Sequence, residues 1–157
     1  LLYLRGEQQS SKGFVSYIYR LLRMHVQRKY GLDINSMNIG KGLFVGHAHN
    51  ISINSQAVIG ENVCVTSGVT IGKDFRGKRK GAPVIGNQVF CGANSTIVGK
   101  IVIGDDVLIA PNTFVNMDVP SHSIVIGVPG KIIHKYNATD GFIFNVTEGK
   151  YEKENNE

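Results

Sequence analysis

Five histidines, two cysteines and one dense run of cations are the residues of this 157-residue chain whose types could do chemistry. His47 and His49 stand one residue apart. Histidine titrates near neutrality and can take the proton of a hydroxyl that is otherwise a poor nucleophile. Two histidines so close also suggest a metal pair, but no further His, Cys or carboxylate cluster completes a ligand set, so no metal is expected. Cys64 and Cys91 lack any CxxC spacing and are too few for a disulfide framework, which points to a reduced, cytoplasmic compartment. Arg76, Lys78, Arg79 and Lys80 form a basic stretch suited to phosphate or carboxylate groups. Phe75 is the one aromatic beside it, so nucleic acid is not an expected partner. His25, His122 and His134 belong to no constellation and read as surface residues.

Something must position these groups, and it is a repeat. Aliphatic residues recur at six-residue steps at Ile39, Val45 and Ile51, then Ile59, Val65 and Ile71, and again from Ile85 through Cys91, Ile97, Ile103, Ile109 and Val115. Glycine follows seven of them, at Gly40, Gly46, Gly60, Gly72, Gly86, Gly92 and Gly104. Glycine is 19 of 157 residues, about 12% against a usual ~7%, and the repeat is where much of it goes. Six is not a helical period, and six residues cannot hold a hairpin. The pattern fits a solenoid whose unit is one short strand and one corner, three units to a triangular coil, stacked by parallel ladders. Glycine is expected to relieve the backbone at each bend. A small or β-branched residue four places on, as at Ser55, Val63 and Val69, is expected to point inward, and His49 falls on an inward place of this kind.

Two irregularities interrupt the period. Eight residues separate Ile51 from Ile59, which predicts a two-residue corner insertion there. Fourteen separate Ile71 from Ile85, which predicts an exposed loop over residues 73–83 carrying the cations. Upstream, apolar residues at Phe14, Val15, Ile18, Leu21, Leu22 and Val26 predict a helix over 11–30, capped by Ser10 or Ser11, stopped by Gly31 and packed on the open end of the solenoid. Its outer face carries Arg20, Arg23, Arg28 and Lys29, and a basic amphipathic helix of this kind also suits a membrane surface, the alternative to packing on the solenoid. The division expected is a helical segment over 1–32, the repeat domain over 33–134 and a C-terminal tail over 135–157, frayed from residue 148. The charged share of 18% and hydrophobic share of 42% exclude a disordered chain. No apolar run approaches the ~18 residues of a membrane span. The chain opens on Leu1 rather than Met, so a trimmed start is expected.

The repeat resembles the hexapeptide-repeat acyltransferases, and that resemblance implies a mainly β fold, a left-handed parallel β-helix of about four to five coils with a short N-terminal helix and one protruding loop. Asp33-Ile34, followed by the segment from Ile39 to Ala48 that contains Gly46-His47, is similar to the active-site segment of serine acetyltransferases. Gly68-Val69-Thr70-Ile71-Gly72 and the segment from Gly127 to Ile133 match further motifs of that family. The resemblance implies acetyl-CoA as co-substrate, His47 as general base and Asp33 as the carboxylate that orients its ring. It also places Ala93 and Thr113 along the coenzyme A groove, Lys131 near the phosphates, and the groove itself between subunits of a homotrimer. His49, Arg76, Lys78 and Arg79 are candidate substrate contacts. Where the family's loop carries Arg-His-Pro, with a histidine that holds the amino-acid acceptor, this chain reads Gly81-Ala82-Pro83.

The expected activity is therefore acetyl-CoA-dependent O-acetyl transfer. Because Ala82 replaces that histidine and the loop is basic, as in the short relatives of surface-polysaccharide biosynthesis, a sugar or polysaccharide precursor is the expected acceptor, with serine the alternative. A non-catalytic β-helix binding a partner or polyanion through residues 76–80 is the rival from another class. Such a scaffold has no need of His47 and Asp33.

Overall fold

The computed structural model describes residue 10, residues 12–35 and residues 38–144. Helix α1 (Phe14–Tyr30) precedes short strands: β1 (Leu32–Ile34), β2 (Phe44–Val45), β3 (Ile51–Ile53), β4 (Val58–Ile59), β5 (Cys64–Val65), β6 (Thr70–Gly72) and β7 (Val84–Ile85). They continue as β8 (Val89–Cys91), β9 (Thr96–Val98), β10 (Val102–Ile103), β11 (Val107–Ile109), β12 (Phe114–Val115), β13 (Ser123–Ile126) and β14 (Lys131–His134). Every third strand meets its predecessor, so three sheets form the sides of a prism: β1-β3-β6-β9-β12, β10-β7-β4 and β14-β13-β11-β8-β5-β2. All pairings are parallel except β13 with β14, which closes the last coil as an antiparallel hairpin. The result is a β-solenoid of about five turns.

The repeat's aliphatic positions fill the interior. Ile59, Val65, Ile71, Ile85, Cys91, Ile97, Ile103, Ile109 and Val115 are all buried, one stacked above the next by the register Val65↔Cys91 and Ile71↔Ile97. Each removes an apolar side chain from water, an effect of about 1.5–3 kcal/mol per residue. The residues two places earlier, Val63, Val69, Val89, Ser95, Val107 and Thr113, also face inward.

Two expectations about the corners change. Val45 pairs with Val65 and Ile53 with Ile71, so eight residues join Val45 to Ile53 where six join Val65 to Ile71. The two-residue excess therefore lies in the corner of residues 46–50, not between Ile51 and Ile59. Ile51 and Ile53 are both buried, so alternation alone cannot choose the phase. With the phase corrected, Ala57 takes the inward place expected for Ser55, which is exposed.

The glycines after the aliphatic residues serve stacking rather than backbone reversal: Gly60, Gly86 and Gly104 are absent from the left-handed residues. A Cβ on Gly86 would stand 2.8 Å from the backbone of Gly104 in the next coil. The left-handed corner positions fall instead to Asn62, Gln88, Asp106 and His122 at one vertex, and to Asn50, Gly68, Asn94 and Asn112 at another. Asn and Asp tolerate that region better than most side chains.

The helix differs too. It begins after Gly13 with no side-chain cap, so Ser10 does not cap it, and Ser11 lies outside the described residues. Gly31, left-handed at φ 62, stops it as expected. No residue of α1 is fully buried, and the helix packs on β1, the first strand of the solenoid. The loop of 73–83 protrudes as predicted: Asp74 and Gly81 pair at its neck and residues 74–80 are exposed.

The first half of the expected tail is bound. Phe142 packs on Phe90 at 5.0 Å between ring centroids, against the six-stranded sheet. Asp106 pins the segment by accepting from Ala138 N, Thr139 N and Thr139 Oγ1 at 3.1, 3.0 and 2.8 Å. His122 also reaches it, Nδ1 to Oδ2 at 2.9 Å, so His122 is half-exposed but not without a role. The stretch from residue 148 lies outside the described residues.

Candidate active site

His47 sits in the one corner that the two extra residues enlarge, where the six-stranded sheet turns into the five-stranded one. It is exposed and left-handed, φ 51. The other non-glycine left-handed residues of the coils stack in two columns, one at each of two vertices; His47 stands outside both. A non-glycine residue held there stores about 1–2 kcal/mol of backbone strain. The tight turn that holds it is made by His49 N donating to His47 O at 2.7 Å. The local sequence thus trades an ordinary corner for a bulge that presents an imidazole to solvent.

His49 is exposed, which corrects its expected inward place: the corrected phase gives that position to Ile51. Its ring lies 6.0 Å from that of Tyr30, at the end of α1, and Asn50 N donates to Tyr30 O at 3.2 Å. The bulged corner and the helix end brace each other.

Asp33 lies on β1, opposite Ser52 of β3, and is exposed on the outer face of the five-stranded sheet, into which the His47 corner feeds. Its carboxylate accepts from the side-chain amides of Asn35 and, at 3.5 Å, Gln27. Among the described residues no hydrogen bond joins it to His47. The expected contact is not made within this chain; the neighbouring amides hold the carboxylate instead.

The remaining candidates divide by vertex. The corners at 66–68, 92–94 and 110–112 continue the His47 vertex from coil to coil, and Gly127–Gly130 closes it by bonding to Phe114. Ala93 lies on this vertex and Lys131 begins the exposed strand just after it. Successive coils are about 4.8 Å apart, so the row from His47 to Lys131 runs roughly 19 Å over four steps. Thr113 departs from its expected role. Its side chain is buried and its Oγ1 accepts from Gly127 N at 3.2 Å, so the hydroxyl faces the interior and only its backbone borders the vertex.

The basic loop is elsewhere. It leaves the far end of β6, so Arg76, Lys78 and Arg79 stand at the opposite edge of the five-stranded sheet from the His47 corner of the same chain. Ala82 packs against the core, and Lys100 N donates to Arg79 O at 2.8 Å, which ties the loop down. Among the described residues no group of three or more His, Cys, Asp or Glu side chains could hold a metal ion. No described helix is long and apolar enough to cross a membrane.

Both thiols are sealed. Burial pushes Cys91 up to about 12, with Cys64 adding to it, and burial also raises Cys64. Neither is a nucleophile at neutral pH. The group that sequence reasoning missed is the Asp106–His122–Thr139 clasp. Its partners lie 16 and 33 residues apart, with no local spacing to mark them.

Comparison with known proteins agrees with this fold. Residues 82–116 match the family model of the bacterial transferase hexapeptide (six repeats). The serine acetyltransferase of Helicobacter pylori is 36% identical over 120 residues, 76% of this chain and 70% of that protein. Serine acetyltransferase 2 of Arabidopsis thaliana is 34% identical over 82% of this chain, which spans only 43% of that protein's length. The crystal structure of Neisseria gonorrhoeae serine acetyltransferase in complex with serine superposes with a TM-score of 0.65 and 34% identity, covering 75% of this chain and 48% of that one. With these neighbours the chain shares the left-handed β-helix. All three of these proteins are named serine acetyltransferases.

Proposed function

The chain belongs to the hexapeptide-repeat acyltransferases similar to serine acetyltransferases, and from that membership we propose that it transfers the acetyl group of acetyl-CoA to the hydroxyl of serine. The observation that carries the reading is the enlarged corner, which spends backbone strain on holding His47 out at the head of a straight vertex. In this reading His47 accepts the proton of the serine hydroxyl as that oxygen bonds to the acetyl carbon. The imidazolium then returns the proton to the departing thiolate, so no net charge is created. Asp33 stabilises the imidazolium once the neighbouring amides release its carboxylate. Backbone N–H groups at the vertex, Ala93 among them, line the path of the coenzyme's arm, and Lys131 meets its phosphates as a point charge.

The proposed assembly is a homotrimer. The outer face of the three-stranded sheet is a bare ladder of Val58, Val84 and Val102, 40–56% exposed, and closed three-fold symmetry would cover it. A neighbouring subunit also supplies what one chain lacks, since its Arg76, Lys78 and Arg79 can approach the His47 corner that their own chain keeps at a distance. The free, buried thiols fit a cytoplasmic enzyme.

One observation favours a saccharide acceptor as the second reading. Ala82 lies against the core in place of the family's acceptor-binding histidine, beside exposed cations. Thiol release from acetyl-CoA, measured with serine and with a panel of nucleotide sugars and oligosaccharides, separates the two. Turnover with serine supports the proposal; turnover confined to saccharides replaces it.

A further inference from the structure

The helix α1 turns the wrong face to its own chain. Phe14, Ile18, Leu21 and Leu22, with Val15 and Tyr17 beside them, follow helical spacing and are 40–76% exposed. The partly buried residues are Ser16, Tyr19, Arg23, Met24, Val26 and Gln27, most of them on the opposite side. A helix that served only to cover the solenoid would bury the apolar stripe and expose the polar one. Here the C-terminal end is fixed by Gly31, by the Asn50–Tyr30 bond and by Gln27 on Asp33, and the apolar stripe is held outward.

The charges of the helix say what it faces. Its exposed cations are Arg20, Arg28 and Lys29, Arg23 lies on the partly buried side, and Phe14–Tyr30 holds not one Asp or Glu. A second copy of this helix would bring cations against cations with no carboxylate to pair them. A surface that is apolar within and anionic at its rim matches both features at once, and long basic side chains can reach outward while the stripe is buried. We propose that α1 is an interfacial anchor that lays Phe14, Ile18, Leu21 and Leu22 into the surface of an anionic lipid bilayer. No described helix is long and apolar enough to span the bilayer. Because the helix end braces the corner of residues 46–50, the anchor sets the candidate active site beside the membrane. This inference is independent of which acceptor the enzyme uses.

Vesicle flotation tests it, with the chain mixed with vesicles of phosphatidylcholine alone or of phosphatidylcholine with phosphatidylglycerol. The chain should float with the anionic vesicles, fail to float with the neutral ones, and lose binding as salt rises. The double variant Ile18→Glu, Leu21→Glu should lower partitioning at least about tenfold while keeping acetyl transfer in solution. Arg20→Gln with Arg28→Gln leaves the apolar stripe intact and should weaken binding to anionic vesicles and flatten its salt dependence. Absence of flotation, flotation indifferent to both double variants, or a change of oligomeric mass in Ile18→Glu, Leu21→Glu would each overturn the proposal, the last by assigning the stripe to a second copy.

Discussion

Replacing Asp106 by asparagine should release the C-terminal segment from the β-helix. Asparagine keeps the shape and tolerates the left-handed φ of 51, so backbone strain is not the variable. What changes is Oδ2, which accepts from His122 Nδ1 at 2.9 Å and from Ala138 N at 3.1 Å. In the variant an amide donor faces those donors. Hydrogen bonds to a charged acceptor are worth about 1.5–3 kcal/mol each, so two lost together, less what relaxation recovers, cost about 2–4 kcal/mol. For a domain of this length that lowers Tm by roughly 5–15 °C, or, if the segment detaches alone, abolishes exchange protection at Ala138 and Thr139. The pH dependence has a definite sign. Burial pushes the Asp106 carboxyl up, but the bonds from His122, Thr139 and Ala138 outweigh it and hold its pKa below the usual value. A depressed carboxylate contributes stability above its unfolded pKa of about 3.9 and loses it as pH falls through the folded value. Thermal melts of the wild type and Asp106→Asn, followed by circular dichroism from pH 7 to 3, should therefore differ at neutrality and converge below about pH 4. A difference under about 1 °C at pH 7 with unchanged amide exchange would refute the clasp.

Three further outcomes follow from the coil geometry. Gly86→Ala should destabilise the chain by at least about 2 kcal/mol in urea unfolding, since its Cβ would stand 2.8 Å from the Gly104 backbone and the stacked coils must part. Cys64 and Cys91 should resist alkylation at pH 8 in the native protein and react at once in denaturant, because burial raises both thiols. Val84→Glu, in the middle of the exposed ladder, should convert the proposed trimer to monomer in light scattering without unfolding it, whereas a mass unchanged by the substitution moves the interface elsewhere.

The solenoid was legible because its cause is local and periodic: one inward aliphatic residue per six, buried from Ile59 to Val115. The phase of the first coil was not legible, since Ile51 and Ile53 both suit the interior and only pairing with Val69 and Ile71 decides between them. That ambiguity hid the enlarged corner and misplaced His49. The role of the glycines was misread for a related reason, because contact between coils leaves no trace in a single hexad. His47 and Asp33 are candidates through resemblance rather than spacing, and the structure adds the strained corner at His47 while leaving Asp33 with its amide neighbours. The basic loop was read correctly as exposed, but its distance from His47 depends on which edge of a sheet it leaves. The outward stripe of α1 has the same helical spacing as an inward one, so only the folded chain reveals its direction.

The most direct test of the central claim is the steady-state rate of serine acetylation by the wild type and by His47→Ala, with coenzyme A affinity measured alongside. Wild-type turnover on serine, a fall in kcat of at least about 100-fold in His47→Ala and an unchanged coenzyme A affinity are the results expected of a general base at the head of the vertex. Retention of most of the activity by His47→Ala would contradict the mechanism.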